Sequence, residues 1–173
     1  MSTPNELVLR CQFESYMKCG INTPSFYLIG EGFTAFPEAK NPVEYTRKYI
    51  NDKTERTDVI GYAPSISYSC DAIKDDPCVQ KIMEITDKEY LGVNTYVEIV
   101  NVNCWEQTNS NEYKACKRTY AVIPDTKGDG TEALIYSGTL KAVSDPVYGA
   151  FNRSTFTFIE DPGSSSSSLS SGS

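Results

Sequence analysis

The chain has 173 residues with 39% hydrophobic content, enough for one domain with a sizeable core and too little for two large ones. Its 16 basic and 23 acidic residues give a net charge of -7, so the surface as a whole repels phosphate and a DNA-gripping module is disfavoured. Histidine is absent, which removes Ser-His-Asp triads, Cys-His dyads and HExxH zinc sites together.

No run approaches eighteen apolar residues, and Met1 to Glu6 lacks the basic-then-apolar layout of a secretory leader. A soluble chain is expected, with no visible leader unless one has been removed. Strands dominate the reading, because Tyr, Phe, Val, Ile and Thr repeatedly alternate with polar residues. Leu7 to Phe13 has period two and predicts a first strand, and Val59 to Cys70 predicts another with a bulge or edge position at Pro64. Asp76-Pro77 supplies a helix cap followed by proline at the first helical position. Val79, Ile82, Met83 and Tyr90 recur near helical spacing, so one helix is predicted from Pro77 to about Lys88, with Gly92 at its exit. Tyr96 to Trp105 alternates Val100, Val102 and Cys104 toward one side. Lys117 to Ile123 separates Thr119, Ala121 and Ile123 from Tyr120 and Val122. Glu132 to Val143 predicts a bulged strand or a tightly turned pair around Ser137-Gly138, and Phe151 to Glu160 a closing strand. Several strands with turn signals between them, and one helix, argue for a mainly β chain: an antiparallel sandwich or barrel with one flanking α-helix. The domain is expected over 1–162, and the Gly/Ser-rich tail 163–173, a natural linker or an expression remnant, is expected to be disordered.

The cysteines at 11, 19, 70, 78, 104 and 116 form no CxxC pair, and their spacing offers no zinc knuckle. Reduced, partly buried thiols are favoured over three disulfides. Asp125 to Gly130 has oxygen donors at positions one and five of a calcium loop and glycine at six, but Lys127 and Tyr136 stand where ligands are needed, so a turn joining two strands is preferred. The carboxylates Asp75, Asp76, Asp129 and Glu132 read as cap and surface charge. Tyr113, Lys114, Lys117 and Arg118 form the most basic cluster and read as an exposed strand face or a patch that meets acidic residues of a neighbouring subunit. Trp105 is assigned to the core or a subunit interface. No catalytic residue, cofactor or metal site is expected.

One segment stands out as functional. Glu44, Arg47, Lys48, Asp52, Lys53, Glu55, Arg56 and Asp58 place four charges of each sign between Asn41 and Asp58. The segment reads as a long projecting hairpin, Val43 to Ile50 and Thr54 to Ile60 about a turn at Asn51-Asp52-Lys53. The charges suit either a solvated hairpin whose charged edges guard against aggregation or a docking arm for a second copy, where a wrong register brings like charges together.

The run VEYTRKYINDKTERTDVIGYAPSISYSCD, Val43 to Asp71, followed by DDPCVQKIMEITDKEYLG, Asp75 to Gly92, resembles the tail tube proteins (major tail proteins) of tailed bacteriophages that infect Gram-positive bacteria. The similarity continues through Thr95 to Trp105 and Val122 to Asp125. The resemblance implies a β-sandwich-like barrel with a flanking helix, assembled as homo-hexameric rings that stack into a tube. It also implies partners among other tail proteins, such as a tape measure and a tail terminator, with double-stranded DNA passing through the lumen without specific binding and no membrane involved. The inter-ring contact would map onto Pro42 to Asp58. Such a protein resides in the virion tail and is assembled in the host bacterial cytoplasm. The alternative is a disulfide-stabilised extracellular β-sandwich that binds a protein or glycan. An enzyme ranks below both.

Overall fold

The computed structural model describes residues 6–19 and 26–161. The Gly/Ser tail and all but Glu6 of the leader reading lie outside these residues. The chain is mainly β, an antiparallel sheet curled into a half-barrel with one helix.

The sheet is built around two long neighbours, β8 (Tyr96–Asn109) and β9 (Glu112–Asp129), joined at a tight turn where Asn111 takes a φ of 61°. Along β8 the pleat divides the apolar residues by parity. Val97 and Ile99 enter one core cluster, and Val100 and Val102 enter a second on the opposite face. Tyr120 and Val122 of β9 belong to the first cluster, as their alternation predicts. Outward from β8 lie β1 (Phe13–Lys18) and then β2 (Phe26–Ile29). Outward from β9 lie β10 (Ile135–Ala142), β7 (Ser65–Asp71), and the short β3 (Phe33–Ala35) and β4 (Glu38–Ala39), both paired with β7.

Each face of the sheet has its own cover. The helix α1 (Pro77–Asp87) lays Cys78, Val79, Ile82 and Ile85 over the first cluster. It starts where predicted because the Asp76 carboxylate accepts from the Cys78 and Val79 amides at 2.9 and 3.2 Å, and Pro77 has no amide to leave unpaired. On the other face, β11 (Val147–Asn152) pairs with the first part of β9 and carries β12 (Thr157–Glu160), bringing Phe151 against Tyr16 with ring centroids 4.3 Å apart.

Several expected boundaries move. Leu7 to Phe13 is not a strand: Leu7, Val8 and Leu9 are exposed, Arg10–Gln12 make a single 3-10 turn, and the first strand begins at Phe13. Val59 to Cys70 is two strands in two different sheets, because buried Pro64 has no amide to donate and separates β6 (Arg56–Tyr62) from β7. The helix leaves through Lys88 and Glu89, the latter at a φ of 51°, and Gly92 instead opens a following 3-10 turn, Gly92–Thr95. Glu132 to Val143 resolves as the single strand β10, with a register shift against β9 between Ser137 and Gly138. Gly138 is required by space: an added Cβ would sit 2.5 Å from the Ile123 carbonyl oxygen and 2.7 Å from the Tyr68 hydroxyl. Phe151 to Glu160 is a hairpin. Its turn is held by the Asn152 side-chain oxygen, which accepts from the Ser154 and Thr155 amides at 2.9 and 3.2 Å.

Candidate functional site

Among the described residues, strands β5 (Pro42–Arg47) and β6 pair only with each other, forming a two-stranded sheet separate from the main one. Asn41, at a φ of 45°, turns the chain out of β4 and clamps the hairpin's root. Its side-chain amide donates to the Ala63 carbonyl at 3.1 Å and to the Ser65 hydroxyl at 2.9 Å. The first strand is shorter than predicted, the second begins two residues later, and the loop is longer, covering 48–55, because the Asp52 carboxylate accepts from the Tyr49 amide while the Asp52 amide donates to the Tyr49 carbonyl at 3.0 Å.

The eight charged residues separate into two groups. Arg47 pairs with Asp58 at 3.2 Å and Arg56 with Asp52 at 3.1 Å, and both guanidinium groups lie over the Tyr49 ring. These four hold the hairpin to itself. Glu44 faces away from Arg47, on the face that carries Val59 and the Thr46–Thr57 hydroxyl contact at 3.1 Å. Lys48, Lys53 and Glu55 lie in the loop. None of Glu44, Lys48, Lys53 and Glu55 makes an ion pair among the described residues.

Apolar residues complete the surface, which the charge pattern did not foreshadow. Val43, Tyr45, Val59, Ile60 and Tyr62 are all exposed, and so is Ile50 at the tip. A β-bulge between Val43 and Glu44 leaves Ile60 without a cross-strand partner. A hairpin with neither face covered is marginal in water. This one presents aromatic and branched side chains on both faces to solvent.

A second feature lies on the helix side of the sheet, beyond the end that α1 covers. A cleft of about 710 Å³ opens between β8–β9 and the segment that carries β3 and β4. Arg10, Lys40, Lys114 and Arg118 face it against one carboxylate, Glu38. Glu38 is engaged by Lys40 at 3.0 Å and by the Asn101 amide at 3.2 Å. Arg118 makes no ion pair among the described residues, and its Nε is buried without a hydrogen-bond partner. Burial, helped by Glu38, pushes the Tyr120 phenol at the cleft floor up to about 12. The predicted basic cluster is therefore divided by the pleat. Lys114 and Arg118 enter the cleft, whereas Tyr113 meets Arg153 and Lys117 meets Phe158 on the opposite face.

Two further features are open to solvent. Strand β2 ends the hydrogen-bonded order of the main sheet, and its Tyr27 and Leu28 are exposed. Trp105 is 41% exposed, so it does not belong to the core. No three potential metal ligands cluster among the described residues. The six cysteines are free thiols, with Cys70 and Cys104 pushed up to about 11, chiefly by burial.

No family model matches the chain, and no curated protein matches it. Twelve solved chains do. Among them is a chain of a structure described as "Cryo-EM structure of the anti-feeding prophage (AFP) baseplate, 6-fold symmetrised", which is 13% identical, with a TM-score of 0.47, covering 86% of this chain and 97% of that chain.

Proposed function

We propose that this chain is a structural virion subunit that performs no chemistry. It self-assembles into stacked hexameric rings that form the hollow tube of a phage tail, through which double-stranded DNA reaches the host. The observation that carries this reading is the bare hairpin of β5 and β6. Its fold is completed when a neighbouring copy covers Val43, Val59, Ile60 and Tyr62. Exposed Lys48, Lys53, Glu44 and Glu55 then set the register, because a slipped neighbour meets like charge. Sideways closure uses the β2 border of the sheet, where a neighbouring strand satisfies the outward backbone groups. The cationic cleft receives acidic side chains of an adjacent subunit, which suits a chain whose net charge is -7. The same net acidity lets DNA slide through the lumen without being held. The resemblance of Val43 to Asp71 and of Asp75 to Gly92 to tail tube proteins supports the same assignment.

The test is assembly. Purified protein, alone and with partner tail components, is followed by sedimentation velocity and negative-stain microscopy, and rings or tubes of constant repeat are expected. A species that stays monomeric at high concentration under both conditions overturns the reading. Reversing Arg47, Lys48 and Arg56 to glutamate blocks tube formation, but two of these three belong to the hairpin's own ion pairs. Val59→Ser with Ile60→Ser removes the contact and leaves those pairs in place, so it gives well-folded monomers. Unchanged tubes from that double variant rule out the docking role.

A further inference from the structure

At the junction of β1, β2 and α1 the fold brings together two cysteines that are 59 positions apart in sequence. Cys19 Sγ lies 3.5 Å from Cys78 Sγ, at van der Waals contact, and this is the one thiol–thiol hydrogen bond among the described residues. Cys78 is fully buried in the first turn of α1, and its sulfur also lies 3.5 Å from the Tyr27 carbonyl oxygen and 3.7 Å from that of Leu28, both on the border strand β2. Cys19 follows β1 directly and is only partly buried, with its thiol 3.4 Å from the Met17 carbonyl oxygen. A disulfide needs a sulfur separation of about 2.05 Å, so the two sulfurs have roughly 1.5 Å to close.

We infer that Cys19 and Cys78 form a redox-modification site, which small-molecule disulfides convert to an intramolecular disulfide. Partial exposure makes Cys19 the thiol that reacts first. Its thiolate, having lost a proton to solvent, attacks one sulfur of the external disulfide, forming a mixed disulfide and expelling one thiolate. Cys78 then loses its proton, its sulfur attacks Cys19 Sγ, and the second external thiolate leaves. The two cysteines are oxidised by two electrons, and one external disulfide is reduced to two thiols. The contact with Cys19 and burial together hold the Cys78 thiol well above the ordinary range, consistent with its acting second. The product ties the border pair β1–β2 to the start of the helix. A subunit folded in reducing surroundings thus acquires a covalent staple on meeting oxidants, without rearranging its sheet. This inference goes beyond the assembly reading and does not depend on it.

The full-length reduced protein is incubated with excess oxidised glutathione, denatured and alkylated, and the linkages are mapped by mass spectrometry. The expected result is one linked pair, Cys19 to Cys78, with no adduct left on either, while the exposed Cys11 takes up glutathione without resolving. In the Cys78→Ser variant the reaction stops at a glutathione adduct on Cys19, and in Cys19→Ser no intramolecular bond forms. The absence of any linked pair in the wild type, a linkage between other cysteines, or a wild-type adduct that stays on Cys19 would each overturn the proposal. The wild-type map decides alone if either variant fails to fold.

Discussion

Ile82 and Ile60 are the same residue type placed in opposite circumstances. Ile82, on α1, is 0% exposed between the helix and the main sheet, whereas Ile60, on the hairpin, is 64% exposed with no neighbour across its strand pair. The main sheet buries apolar side chains on both faces, under the helix and under β11–β12. The hairpin buries neither and has two ion pairs, Arg47 with Asp58, both exposed, and exposed Arg56 with a largely shielded Asp52; exposed pairs contribute little in water. The contrast teaches that, among the described residues, the chain covers both faces of its larger sheet and leaves both faces of the smaller one open to solvent.

The largest effect that separates the two regions comes from truncation. Ile82→Ala lowers unfolding free energy by about 2–5 kcal/mol in denaturant titrations, because it removes buried atoms and leaves a cavity. Ile60→Ala changes the stability of the isolated subunit by about 0.5 kcal/mol or less. An Ile60→Ala loss as large as that of Ile82→Ala would show that the hairpin is already packed within the monomer. Next in size is Asp76→Ala. It strips the acceptor from two helix amides and costs about 1 kcal/mol, read as a shift in denaturation midpoint with the circular dichroism of the folded baseline unchanged.

The smallest effect concerns the pair that ties the end of α1 to β9. Lys127 Nζ donates to the Asp87 carboxylate at 2.6 Å, and the Tyr136 hydroxyl donates to the same group at 3.1 Å. The Lys127 hydrogen bond is the main reason the Asp87 carboxyl titrates below the ordinary carboxylate range, with Tyr136 adding to it. A depressed carboxyl stabilises the fold above its unfolded-state value, and that contribution is lost as pH falls through the folded-state value. Lys127→Met therefore moves the Asp87 titration upward, as followed by carboxyl-carbon NMR. An unmoved titration would assign the shift to Tyr136 instead.

The sequence disclosed those features whose cause is local. The helix was legible because Asp76 and Pro77 act within one turn, and β8 and β9 were legible where alternate residues meet different environments. Strand β1 was not, because Ser15, Tyr16 and Met17 are consecutive and all buried, so a strand covered on both faces loses its period of two. Leu7 to Cys11 alternates well and yet joins no strand among the described residues. The β11–β12 turn was missed because it contains no glycine and is closed by the Asn152 side chain, with Phe156 at a φ of 55°. Of the candidate site, the hairpin's place and its charges could be read, but not which charges pair internally. The cleft was hidden because Arg10, Glu38, Lys40, Asn101 and Arg118 meet only through sheet order, and the Cys19–Cys78 contact for the same reason.

The order of strands also governs when the molecule can become itself during synthesis. A growing chain that has emerged as far as β7 can close only local ribbons, since β1 needs β8, as in the Ser15–Asn101 contact across 86 positions, and β7 needs β10. Strands β2, β1, β8 and β9 can pair under the helix once β9 has emerged, but β7 stays without its partner until translation passes residue 142, and distant pairings of this kind fold slowly. A ribosome-bound fragment can therefore close the β5–β6 hairpin early, whereas the sheet it projects from is completed only after β10 has emerged.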